Sequence, residues 1–314
     1  MTVQHLTAPP RLPVVLARGA LASPSKRGPY DKARLPDDRL VLPQAHTDPR
    51  RLRSYAEVCG FPQPGQEDSG NAPSGDGTMP PSYPHILGFP LAMRLMADRA
   101  FPFPLLGLVH TGIQLTQHRA LRAHDRPEIS VHAQGLSPHR RGSQFDIVTE
   151  ARLAGQLVWH SSSTYLCRHH REKPSGEPAR QDEQPRPLPV RDRWKLPTGL
   201  GRRYGAVSGD RNPIHLHPLT AKLFGFPRHI AHGMWTFARA LAGTGAAVGC
   251  EQLTARAEFK SPVLLPSTVA FGWDEPTASA GTYRGAVQVH RFELRGAHEV
   301  ERLHLTGEVT SERL

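Results

Sequence analysis

One pattern occurs twice in this chain, and that repetition limits the possible folds more than any other feature. Residues 55–61 read YAEVCGF and residues 204–210 read YGAVSGD, with Tyr, Val and Gly in matching places. Each ends or follows a short helical pattern, Arg50 to Gly60 in the first case and Leu200 to Gly209 in the second. Further on, Pro84-His85-Ile86-Leu87-Gly88 precedes an apolar helix carrying Leu91, Leu95 and Met96. Arg228-His229-Ile230-Ala231-His232-Gly233 precedes another, with Met234, Phe237, Ala238, Leu241 and Ala242 at helical spacing. Strand-like segments follow each helix: 109–120, 128–136, 143–153 and 157–168, then 253–259, 268–274, 283–294 and 300–310. A central helix followed by antiparallel strands predicts a helix wrapped by a sheet, an α+β unit present twice. Two such sheets can join edge to edge.

The boundaries follow from composition. Residues 1–35 form an N-terminal arm, 36–170 the first repeat and 193–314 the second. Between them, residues 171–192 are rich in Pro, Glu, Arg and Gln without an apolar period, as in an exposed linker. Within the first repeat, residues 62–81 (PQPGQEDSGNAPSGDGTMPP) are of low complexity and read as a flexible loop. That insert stands where the second repeat carries its polar turn. Phe61 takes the place of Asp210, and nothing there matches Asn212 or His215, so the first repeat reads as catalytically degenerate.

Size and composition exclude several classes. A chain of 314 residues can bury a core without staples, and Cys59, Cys167 and Cys250 are too few and scattered for a disulfide framework. A reducing, cytoplasmic setting is expected. Arg18 interrupts the apolar stretch near the N-terminus, so a signal peptide is not expected, and no window approaches a membrane span. The net charge of +11 suits an anionic partner. No zinc-finger or RNA-binding signature accompanies it, which argues against nucleic acid.

The second repeat carries the chemistry. Asp210, Asn212 and His215 fall within six residues that follow Gly209 and contain Pro213, both of which break helices and bend the backbone. An isolated Asp in such a turn satisfies backbone donors; an acid, an amide and an imidazole together call for another account. Gly233 opens the next apolar helix, and a helix start offers free N–H groups. An acid/base pair beside such donors suits carbonyl-activating chemistry. His215 and His217 form an HxH pair, but with no Cys nearby and no second ligand pair at suitable spacing, no metal is expected.

SGDRNPIH followed by AHGM resembles the signature of the MaoC-like (R)-specific enoyl-CoA hydratases and 3-hydroxyacyl-thioester dehydratases. The match is most specific over residues 204–234, and the repeated layout extends it more weakly over 36–314. The resemblance implies a double hot-dog fold with one functional site. It also implies that Asp210 and His215 hold a water and act as acid and base, with Asn212 supporting them and Gly233 supplying an oxyanion-hole N–H. Which of the pair is the base in each direction is left open. Substrate contacts are expected from Tyr204, Ser208, His232, Trp235, Lys222 and Arg228. Tyr204 can instead pack its ring, Ser208 can be a turn residue, and the other two basic side chains can meet the phosphates of coenzyme A or an acidic carrier protein. The divergent first half puts the acyl tunnel outside what the resemblance supplies.

The expected reaction is reversible hydration of a trans-2-enoyl thioester to the (R)-3-hydroxyacyl thioester, with no cofactor beyond the CoA or pantetheine of the substrate. The partners expected are an acyl-CoA or acyl carrier protein, with neither nucleic acid nor membrane, in a monomer or homodimer. The alternatives are a hot-dog acyl-CoA thioesterase and a non-catalytic acyl-thioester binding protein.

Overall fold

The structure, a computed structural model, describes residues 2–26, 28, 30, 32–62, 77–170, 186–275, 277–279, 286–299 and 301–313. Most of the expected insert and linker lies outside the described residues. In chain order the elements are β1 (Thr2–His5), α1 (Leu12–Ala22), β2 (Asp38–Leu42), α2 (Pro49–Cys59), α3 (Tyr83–Ala97), β3 (Leu108–Gln117), β4 (Glu128–His139), β5 (Gly142–Leu153), β6 (Gln156–Arg168), β7 (Val190–Leu196), α4 (Leu200–Ser208), α5 (Pro213–Leu216), α6 (Pro218–Leu223), α7 (Gly233–Thr244), β8 (Gln252–Phe259), β9 (Ser267–Trp273), β10 (Thr277–Ser279), β11 (Ala286–Gly296) and β12 (Leu303–Arg313).

The strands form one sheet in the order β1-β2-β4-β5-β6-β3-β8-β12-β11-β9-β7, with β10 beside β11. Two five-stranded sets, β2-β4-β5-β6-β3 and β7-β9-β11-β12-β8, mirror each other about the antiparallel β3–β8 pair, whose register runs from Gly112↔Glu258 to Gln117↔Leu253. Each set belongs with the long helix of its own half, α3 or α7. This is a double hot dog. The repeated tyrosines also meet, Tyr55 on α2 and Tyr204 on α4 having ring centroids 6.0 Å apart.

Local chemistry accounts for the elements. Asp48 accepts the Arg50 N–H at 2.9 Å, Pro49 opens α2 where a missing N–H costs nothing, and Gly60 closes it at φ 75°. Along β8, Leu253, Ala255 and Ala257 are buried while Gln252, Arg256 and Glu258 are exposed, the alternation of a sheet with one wet face. Helix α7 buries Phe237, Ala238 and Leu241 completely. Each larger side chain so buried contributes about 1.5–3 kcal/mol.

Four expectations need correction. Pro84–Gly88 does not precede the first apolar helix but lies inside α3, because Pro84 fits the first turn, where its missing N–H has no intrahelical role. The end of the expected loop at 62–81 is structured: Thr78 bridges to Arg122, and buried Met79 donates its N–H to the Leu121 carbonyl at 2.8 Å. The expected linker ends early, since β7 starts at Val190; its charged residues are exposed at the sheet edge while Trp194 and Leu196 face inward. The N-terminal arm is also part of the fold, with β1 parallel to β2 and α1 against α3.

Candidate active site

The site is assembled on the loop after α4. Gly209 ends that helix in the left-handed region at φ 84°. The Asp210 N–H then donates to Ser208 Oγ at 3.1 Å, the Asn212 N–H donates to Asp210 Oδ1 at 3.1 Å, and Asn212 Oδ1 caps α5 through the Ile214 N–H at 3.4 Å. Helix α4 cradles this loop because two of its residues lack a side chain. A Cβ on Gly201 would stand 2.0 Å from the His215 carbonyl oxygen, and one on Gly205 would stand 2.8 Å from that of Asp210.

His215 is buried, and its Nδ1 lies 2.8 Å from the Ile230 carbonyl oxygen. A carbonyl only accepts, so Nδ1 carries the proton and Nε2 keeps its lone pair. Burial lowers the His215 pKa, partly offset by the Asp210 charge and the Ile230 hydrogen bond, so the ring is neutral near pH 7. The ring of His232 stacks on it, with centroids 3.7 Å apart. His232 Nε2 donates to the Asp210 backbone carbonyl at 2.9 Å. Its 3.9 Å approach to the Asp210 carboxylate is no ion pair, because burial pushes the His232 pKa down to about 3.

Asp210, His215 and His232 each place a potential ligand atom within 4.8 Å of the others. A zinc ion would need in-plane lone pairs converging on one point at roughly 2.0–2.1 Å. The stacked imidazoles are within 25° of parallel, so their lone pairs do not converge in that way. The Asp210 side chain is 29% exposed, so the Asp210–His215 pair is open to entering reactants.

Helix α7 starts beside this pair. Its N-cap, His232, makes no side-chain cap, and the Gly233 N–H forms no hydrogen bond among the described residues. The Phe259 ring packs so closely on Gly233 that a Cβ there would lie 3.1 Å from it.

The first half faces the same place. His85 on α3, His110 on β3 and Tyr165 on β6 all feel the Asp210 charge, although burial dominates their titration. His110 lies face to face with Tyr165 at 4.7 Å and 4.9 Å from the Phe259 ring. None of these three is marked by the sequence, since neither spacing nor periodicity brings α3, β3 and β6 to the second-half loop.

The other expected contacts divide. Tyr204 is buried with its ring 4.9 Å from His232, behind the site, and Ser208 holds the turn. Trp235 does not join them: its indole N–H donates to the Val58 carbonyl at 2.8 Å, and it lines a separate cavity of about 430 Å³ with Trp194, Arg203 and Arg239. It sits two residues into α7, where the helix has turned it towards α2. Lys222 is exposed at the end of α6, and Arg228 donates to the Pro266 carbonyl; neither is hydrogen-bonded or ion-paired to the Asp210–His215 pair. His217 caps α6 through the Leu219 N–H and so does not pair with His215. The Gly201–Gly205–Gly209 spacing was the overlooked signal for the cradle.

A double hot dog with an Asp/His pair on the loop before its second central helix has the architecture of a hot-dog hydro-lyase. The sequence model of the MaoC like domain matches residues 177–281. The 3-hydroxyacyl-thioester dehydratase X of Mycobacterium tuberculosis is 35% identical over 248 residues, covering 76% of this chain and 84% of that protein. The crystal structure of HtdX from the same organism matches with TM-score 0.66 and 32% identity, over 86% of this chain and 98% of that one. Another M. tuberculosis protein, described as a double hotdog, matches at TM-score 0.54 and 14% identity over 92% and 99% of the two chains, a likeness of fold alone. This chain belongs to the MaoC-like dehydratase family.

Proposed function

We propose that this protein catalyses the reversible addition of water to a trans-2-enoyl thioester, giving the (R)-3-hydroxyacyl thioester. The observation that carries the reading is the free Nε2 of neutral His215 beside the Asp210 carboxylate, at the uncapped start of α7. His215 Nε2 takes a proton from a water held between the two side chains, and the hydroxide oxygen bonds to C3. The C2–C3 π electrons pass to the thioester oxygen, where the Gly233 N–H stabilises the enolate-like charge. A proton returned through the His215–Asp210 pair then reaches C2, so one water supplies both atoms added. Asn212 holds the turn. Water addition requires neither metal nor redox cofactor, and the CoA or carrier-bound pantetheine enters with the substrate.

Loss of the enoyl absorbance of crotonyl-CoA, with chiral analysis of the product, tests the reaction and its face. His215→Ala and Asp210→Asn, folded by circular dichroism, should each lose roughly 10²- to 10⁴-fold in kcat/KM. Full activity in either variant sinks this mechanism. Release of free thiol from saturated acyl-CoA would instead favour a thioesterase.

A further inference from the structure

The wall that the first half presents to the site is polar where an alkyl chain calls for apolar residues. His85, in the first turn of α3, is 6% exposed, and its Nδ1 has no hydrogen-bond partner. His110 has a buried Nε2 that is likewise unpartnered. The two rings lie within 10° of parallel, with centroids 6.4 Å apart. Buried polar atoms ordinarily find partners within the protein or in bound water. Trp235, the third residue of α7 as His85 is of α3, shows the contrast, because its N–H is fully occupied by the Val58 carbonyl.

The location of this pair separates it from the reacting atoms. The Phe259 ring packs against Gly233 and its centroid lies 4.9 Å from that of His110, so one ring links the start of α7 to the histidine pair. Behind them the first half is closed by aromatic packing, Tyr165 on Phe145 at 5.8 Å and Phe145 on Phe101 at 5.1 Å.

We propose that His85 and His110 form an oxygen-recognising subsite for the acyl chain, one that selects enoyl thioesters bearing a hydroxyl or oxo group beyond C3. The inference rests on the enoyl-thioester reading above. Both rings are neutral, since burial takes His85 to about 4 and His110 to about 3, so the unpartnered nitrogen of each is an N–H or a lone pair rather than a charge. A hydroxyl can donate to whichever of these nitrogens holds a lone pair and accept from one that holds an N–H, and an oxo group can accept from a ring N–H. A carboxylate is disfavoured, because the nearby Asp210 charge repels it and, among the described residues, no cationic side chain acts on either ring to offset its burial.

Equilibrium binding tests the subsite without relying on turnover. Saturated acyl-CoAs of equal length, one plain and the others carrying a hydroxyl at successive positions beyond C3, are titrated into the full-length protein. At one or more positions the hydroxyl should lower Kd by roughly tenfold. His85→Phe and His110→Phe should each abolish that preference, and His85→Gln, which keeps a donor and an acceptor, should retain part of it and guards against misfolding of the Phe variants. Equal Kd values across the scan in the wild type, or a preference that survives in both Phe variants, overturns the proposal. Failure of the hydratase reading shows separately, as wild-type protein that discriminates between the chains yet does not hydrate crotonyl-CoA.

Discussion

The Nδ1 atom of His215 faces the Ile230 carbonyl at 2.8 Å, and the carbonyl oxygen of the same residue lies against Gly201. The imidazole is thus held at its ring and at its backbone. Alanine ordinarily stabilises a helix by roughly 0.5–1 kcal/mol over glycine. At Gly201 the contact outweighs that gain, because a backbone oxygen 2.0 Å from the new Cβ has no flexible end to move aside. Gly201→Ala should therefore shift the His215 segment and lower kcat/KM by about 10²-fold, the usual consequence of a misplacement of about 1 Å. Gly199→Ala is the control, since nothing lies within 4 Å of a Cβ there. Equal, wild-type activity in both variants would show that the glycine cradle does not position His215.

Helix α7 supplies the expected oxyanion donor through its first residue, and proline is tolerated at that position while removing the N–H. His232 already has φ −67° and ψ 135°, the extended conformation preferred before proline. Gly233→Pro should then fold, yet lose on the order of 10²- to 10³-fold in kcat. Gly233→Ala meets the Phe259 ring with the same Cβ but keeps the donor, and should stay well above the proline variant. Kinetics that match between the two would reject the oxyanion role. The distinction belongs to the element, because the orphan N–H exists only where a helix begins.

At the scale of the molecule, the two sheets meet at β3–β8 and enclose several neutral histidines between and around the helices. His85, His110, His215 and His232 all have pKa values lowered chiefly by burial from the ordinary imidazole value of about 6.5. Below that value the unfolded chain binds protons that the folded chain does not, so stability falls as pH falls. The loss begins near pH 6.5, continues towards pH 4, and amounts to at most about 1.4 kcal/mol per group for each pH unit. Thermal unfolding should show Tm decreasing steadily from about pH 6.5 to about pH 4, with a smaller decrease in His85→Phe. A flat or rising Tm over that range would contradict the burial of these rings as neutral groups.

The repeated helix-then-strands order and the Asp210–Asn212–His215 turn are local features, carried by periodicity and by Gly and Pro within a few residues, and both could be read from the chain. So could the mirror relation of the halves, because each repeat encodes its own helix and strands. Tertiary structure decided the rest. The first three residues of β7, 190–192, looked like linker because all of them are exposed, and α3 began earlier than expected because proline fits a first turn. The tautomer of His215 depends on a carbonyl fifteen residues away. His85, His110 and Tyr165 reach the second-half loop only when the two sheets pair. Sequence spacing records neighbours along a helix or strand; it does not record which face two separately encoded sheets turn towards one another.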